Sequence, residues 1–149
     1  AKKGSGITAS VDSLKGKTVG VEAGTIQESY ANAYWKPNGV NVVSYPGQDQ
    51  VYSDLLAGRL DASLQDSVEA DYGFLRTPKG QDYHLVADIT SDPKDVLGSF
   101  VAIGVRKNEP ELLAKIDQAI AAIIADGTYK KLEANYFNFN VYNAAANSQ

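Results

Sequence analysis

Two acidic residues and one small-residue turn carry the chemistry open to this sequence. Glu22 and Asp66 each follow a short apolar run, and a carboxylate pair of this kind suits general acid–base work. No group that such a pair would protonate is evident. Asp66 also has two other readings: a helix cap, or the ionised partner of an ammonium in a semi-dry cleft. The turn supplies the opposite pole. Thr25 stands where an N-cap belongs and Glu28 follows three residues later, so Thr25-Ile26-Gln27-Glu28 has capping-box form. Free N–H groups and the positive end of the helix dipole converge at such a turn, and a carboxylate or phosphate can dock there. Many α/β proteins have turns like this that bind nothing.

The other routes to catalysis close quickly. The chain has no Cys, which removes disulfides, thiol catalysis and Cys-based metal sites. Its single His, His84, falls in a predicted strand remote from both acids, where a lone His is ordinarily structural. Gly16-Lys17-Thr18 resembles the end of a P-loop, but the leading Gly would be position 11, which is Val11, and the triplet precedes a strand. No Ser/His/Asp order, zinc-protease motif or Gly-rich nucleotide fingerprint is present. The balance favours a binding module over an enzyme, and nothing calls for a cofactor or a metal.

The elements that position these residues read as alternating strands and helices. Strand 18–21 leads through Gly24 into helix 26–35, which Lys36-Pro37-Asn38-Gly39 stops. Strand 40–45 is broken by Pro46-Gly47, and helix 48–57 is closed by Gly58 as its C′ residue. Strand 60–64, helix 66–75 and strand 83–86 continue the pattern. This βαβαβαβ order implies a mostly parallel sheet flanked by helices. Ligands bind beyond the carboxyl ends of such strands, and Glu22, Thr25, Gln27, Asp66 and Ser67 all fall there. Residues 2–12 and 91–98 read as polar connectors. Strand 100–105 is expected next, then a long helix capped by Asn108 with Pro110 in its first turn. Its stripe of Leu112, Leu113, Ile116, Ile120, Ile123 and Ile124 has helical spacing. A last helix over 129–137 turns Leu132, Tyr136 and Phe137 inward, and residues 138–149 read as a weakly structured tail.

At 149 residues the chain can bury a real core, and 44% hydrophobic with 21% charged residues suits a soluble globular protein. Acids and bases are interspersed at a net charge of −4, so no nucleic-acid surface is expected. No apolar run approaches membrane-spanning length. The start, Ala1-Lys2-Lys3-Gly4-Ser5-Gly6, is neither a signal peptide nor an initiator-Met start, which suits a processed protein or a piece of a longer one.

Several stretches together resemble the amino-acid-binding proteins of bacterial ABC importers. These are residues 14–21 with Gly24-Thr25, Leu56-Ala57-Gly58-Arg59-Leu60-Asp61-Ala62 followed by Gln65-Asp66, Ala125-Asp126-Gly127-Thr128-Tyr129, and Tyr136-Phe137. They cover nearly the whole chain in the family's order. Tyr45, Gln48-Asp49 and Tyr72-Gly73-Phe74-Leu75 resemble the lysine/arginine/ornithine- and histidine-binding branch.

The resemblance implies a periplasmic receptor, or a lipoprotein anchored outside a Gram-positive membrane, whose two α/β lobes close on one free cationic amino acid for an inner-membrane ABC permease. It implies a ligand-binding set of Glu22, Gly24, Thr25, Ile26, Gln27 and Asp66. Asp66 would take the α-ammonium. The Thr25–Ile26 turn would offer N–H groups to the α-carboxylate, and Gln27 would contact the side chain or orient the turn. Glu22 and Ile26 depart from the branch, which commonly has an apolar residue and Thr there.

The resemblance further implies that residues 1–96 are the second lobe of a type II periplasmic binding protein. Residues 97–143 would be a strand-helix-helix segment returning to the first lobe, and 144–149 a tail. Most of the first lobe, with the Arg and aromatics that complete the cleft, has no counterpart here. The 108–137 helices are then expected to be covered by another chain, as in a swapped homodimer. Two other readings stand beside the receptor: a dehydratase-type enzyme on the same fold with Glu22 as its acid, and a ligand-sensing domain of a larger regulator.

Overall fold

A computed structural model describes residues 1–87, 89, 92–98 and 102–136. The chain divides into two units, Ala1–Gly98 and Ser99–Gln149.

The first unit is built on a parallel three-stranded sheet in the order β2-β1-β3: β1 is Thr18–Glu22, β2 Asn41–Tyr45 and β3 Ala62–Ser63. β1 is central because its sequence allows burial on both faces. Val19 and Val21 point into a cluster with Leu14, Tyr30, Ala31, Trp35, Val40 and Ala62. Gly20 opens the other way, onto Val51, Leu55, Leu60, Phe74 and Tyr83. A Cβ on Gly20 would stand 2.5 Å from Leu60 Cδ1 and 2.9 Å from Val51 Cγ1, so glycine is what lets that face close. The mostly parallel sheet flanked by helices agrees with the sequence pattern.

A one-turn helix, α1 (Val11–Leu14), lies where the sequence suggests a plain connector and turn; Ser10 caps it, accepting from the Ser13 amide. The expected helix over 26–35 has the expected ends but two parts: α2 (Ile26–Tyr30) and a π-helical turn, Ala31–Trp35. The wider turn seats Tyr30 and Trp35 edge to face, centroids 5.7 Å apart, in the core. The same division recurs in α4 (Ser67–Ala70) with its π-helical continuation Asp71–Leu75.

Helix α3 (Gln48–Leu56) ends as the sequence implies. Gly58 is left-handed at φ 72°, its amide reaches Leu55 O, and the Arg59 amide reaches Asp54 O. This ending explains much of the LAGRLDA stretch. Arg59 pairs with Asp54, Leu60 is core, and Asp61 Oδ2 accepts from the Thr18 amide at 2.8 Å. Asp61 therefore ties the approach to β3 onto β1, while Arg59 closes the turn back onto α3.

Two expected strands are corrected. Residues 83–86 form no strand: Tyr83 makes a single antiparallel bridge to Lys2, and the His84 amide bonds Ala1 O. Only Tyr83 of that run is buried, so it lacks the two-sided cover a parallel strand needs. His84 is an exposed loop residue. In the second unit Ala102 to Val105 form no strand, while Phe100 and Val101 lie outside the described residues. No neighbouring strand pairs with this run among the described residues, and Ile103 is 60% exposed.

The second unit holds α5 (Pro110–Ala125) and α6 (Thr128–Glu133). Glu109, not Asn108, is the N-cap of α5, and its carboxylate takes the Arg106 guanidinium at 2.6 Å. Gly127, left-handed at φ 78°, separates the two helices. Neither helix has a buried residue, and Leu112, Leu113, Leu132 and Tyr136 are exposed, so the inward face expected for the last helix is open. Its end is also earlier than expected: residues 134–136 form a turn, and Phe137 and the 138–149 tail lie outside the described residues. No helix among the described residues is long and apolar enough to cross a membrane.

Candidate functional site

The carboxyl ends of β1 and β3 bring the six expected site residues to two adjacent turns. Val19 pairs with Ala62 and Gly20 with Ser63, and the Leu64 amide continues onto Gly20 O at 3.1 Å. The β1–α2 turn (Glu22, Gly24, Thr25, Ile26, Gln27) and the β3–α4 turn (Asp66) therefore leave neighbouring strands at the same sheet edge.

The first turn is fixed by its own polar groups. Gly24 is left-handed at φ 78°. The Thr25 hydroxyl donates to Glu22 O at 2.7 Å and accepts from the Glu28 amide at 3.1 Å. Glu28 reaches back past the cap: Oε2 accepts from the Gly24 amide at 2.7 Å, and Oε1 accepts from the Ser44 hydroxyl. These two bonds, Ser44 first, hold the Glu28 carboxyl below the usual range against a smaller desolvation effect. Three successive amides, those of Thr25, Ile26 and Gln27, carry no hydrogen bond among the described residues. They open at the positive end of α2, where an anionic group can be held. The Ile26 side chain is half exposed.

Asp66 is the N-cap of α4. Oδ1 accepts from the amides of Val68 at 2.9 Å and Glu69 at 3.2 Å. Oδ2 has no hydrogen bond or ion pair among the described residues, and the residue is exposed. The cap and the ammonium-partner readings of Asp66 are thus compatible, one for each oxygen. A carboxylate whose inner oxygen is locked by two amides is already oriented, with its outer oxygen available to a cation.

Sequence reading missed a further acid. The Glu69 carboxyl is pushed up by desolvation first, then by Glu22, Asp66 and Asp49. Four carboxylates from three segments therefore share one electrostatic neighbourhood at this edge. Asp49 lies in the first turn of α3 and was visible as a residue just past β2; Glu69 lies three residues beyond Asp66, and nothing in its local pattern marks it. No group of His, Cys, Asp and Glu among the described residues could hold a metal. Such an edge can take a cationic or zwitterionic ligand: carboxylates for positive groups, open amides for a negative one.

Comparison with known proteins gives a consistent result. The family model for bacterial extracellular solute-binding proteins, family 3, matches residues 2–139. The lysine/arginine/ornithine-binding periplasmic protein of Escherichia coli is 50% identical over 142 residues, 95% of this chain and 54% of that protein. The histidine-binding periplasmic protein of the same organism is 49% identical over 140 residues, 94% of this chain and 54% of that protein. A Salmonella typhimurium periplasmic binding protein described for high arginine specificity superposes with a TM-score of 0.71 at 28% identity, covering 92% of this chain and 58% of that one. An ancestral arginine-binding protein bound to arginine gives 0.68 at 30% identity, covering 89% and 55%. The chain spans about half the length of the curated relatives it matches.

Proposed function

We propose, since this chain belongs to the bacterial extracellular solute-binding proteins, family 3, that it supplies one wall of a cleft closing on a free cationic amino acid for an ABC importer. The carrying observation is the divided Asp66 carboxylate: Oδ1 caps α4 while Oδ2 of this exposed residue has no partner among the described residues, one strand away from three open amides. Asp66 Oδ2 takes the α-ammonium, and the Thr25, Ile26 and Gln27 amides take the α-carboxylate. Gly24 gives the turn its left-handed bend. Glu22, with Asp49 and Glu69 nearby, favours a ligand whose side chain is also positive, which suits the lysine, arginine, ornithine and histidine in the relatives' names. No bond is made or broken in this function. The relatives named above are binding proteins, and no observation at this edge favours the dehydratase-type reading or the sensing domain.

In this proposal residues 1–96 form one lobe, and 97–143 belong to the lobe that completes the cleft. The unmatched half of each relative's length is the source we favour for whatever covers the apolar face of α5 and α6. No comparison supports exchange between two copies. The protein acts outside the cytoplasmic membrane and hands its ligand to an ABC permease.

Calorimetry with lysine, arginine, ornithine and histidine tests the proposal. The protein at its natural length should bind at least one of them with micromolar or tighter affinity, and the isolated 149-residue chain should bind weakly or not at all. Tight binding by the isolated chain contradicts the half-cleft geometry; no binding by the longer protein contradicts the function.

A further inference from the structure

One side chain, Tyr52 on α3, grips α4 at both ends. Ahead of α4, Gln65 Nε2 donates to the Tyr52 hydroxyl at 2.7 Å. Beyond α4, the Phe74 ring stacks on the Tyr52 ring, centroids 4.4 Å apart and planes 8° from parallel. Between these contacts stands Asp66, which caps α4.

Asp66 is tied to α4 by the Val68, Glu69 and Ala70 amides, but the residues that lead into it have few bonds of their own. After the Leu64 amide bonds Gly20 O, no backbone amide of Gln65, Asp66 or Ser67 has a partner among the described residues. Gln65 Oε1 is buried without a partner there, so the side-chain hydrogen bonding of Gln65 runs to Tyr52 alone. A buried amide makes the bonds available to it, and here one neutral hydrogen bond fixes the residue immediately before the cap.

We propose that Tyr52 is a positioning residue for ligand recognition: through Gln65 its hydroxyl sets where Asp66 Oδ2 stands, and hence how well the site reads an α-ammonium. The inference rests on the amino-acid-binding reading of this edge. It goes further by assigning ammonium selectivity to a hydroxyl that touches no ligand.

The test uses Tyr52→Phe, which keeps the ring stacked on Phe74 and removes the acceptor, and Gln65→Met, which keeps length and removes the donor. The protein at its natural length is titrated with arginine and with δ-guanidinovalerate, the same molecule without its α-amino group. Each variant should weaken arginine about three- to tenfold, the scale of one net hydrogen bond, and leave δ-guanidinovalerate unchanged. The double variant should lose no more than either single one. If Tyr52→Phe does not fold, Gln65→Met carries the test. Equal weakening of both ligands would show a merely structural role and overturn the proposal, as would unchanged arginine affinity. If the unaltered protein binds arginine no better than δ-guanidinovalerate, the ammonium reading of Asp66 fails first, and this proposal falls with it. An unaltered preference for arginine leaves that reading standing whatever the variants do.

Discussion

The Gly24 amide donates to the Glu28 carboxylate at 2.7 Å, one residue ahead of the amide that a standard capping box engages. The displacement leaves the Thr25 amide open beside those of Ile26 and Gln27, so a stabilising motif and an anion-ready turn coexist in five residues. Glu28 supplies stability in its ionised form, because its carboxyl is held below its ordinary value of 4.5 by Ser44 and Gly24. That contribution is full above the ordinary value and is lost as pH falls through the lower, folded-state value. Glu28→Gln should therefore lower Tm at neutral pH, and the difference should close in acid. Thermal melts of both proteins across this range check it; a difference independent of pH would place the effect elsewhere.

Glu69 has the opposite sign. Desolvation and the charges of Glu22, Asp66 and Asp49 raise its pKa, so its ionised form opposes folding. The penalty is full above the raised value and disappears below the ordinary one of 4.5. Glu69→Gln should raise Tm at neutral pH, with the gain fading in acid. The same substitution should weaken binding of a cationic amino acid, since it removes one of the four carboxylates. A lower Tm at neutral pH would show that the repulsion is outweighed by something Glu69 holds in place.

Two glycines distinguish soft from hard crowding. A Cβ at Gly20 would meet the ends of the Leu60 and Val51 side chains, at 2.5 and 2.9 Å, which can shift. A Cβ at Gly80 would meet backbone: Phe74 O at 2.1 Å and Leu75 Cα at 2.7 Å. Gly20→Ala should cost about 1–3 kcal/mol, the usual scale of core overpacking, and Gly80→Ala more. Denaturant unfolding of the two variants ranks them, and the reverse order would contradict this account of the packing.

What the sequence makes legible follows from the range of each signal. The strand at Thr18, the cap at Thr25, the stop at Gly39 and the ending at Gly58 are local chemistry, and each lies where its residues predict. The π-helical turns after Tyr30 and Ala70 are not legible, because they answer to how Trp35 and Phe74 pack. Tyr83 reads as the start of a strand because its run is apolar. Its partner is Lys2, some eighty positions away in a stretch that looks like a connector, and its hydroxyl is taken by Leu55 O at 3.1 Å. At the candidate site, Thr25 and Asp66 declare themselves as caps, whereas Glu69 gains its role partly from Glu22 and Asp49, on two other segments that only folding brings near.

The most direct measurement is the affinity of Asp66→Asn for arginine, by calorimetry on the protein at its natural length. Asparagine keeps an acceptor for the Val68 and Glu69 amides, so the α4 cap and Tm should change little. It removes the charge from Oδ2. The account predicts a loss of about 1.5–3 kcal/mol, the scale of a hydrogen bond to a charged group and roughly ten- to a hundredfold in affinity. Unchanged arginine affinity in a folded Asp66→Asn protein would contradict it.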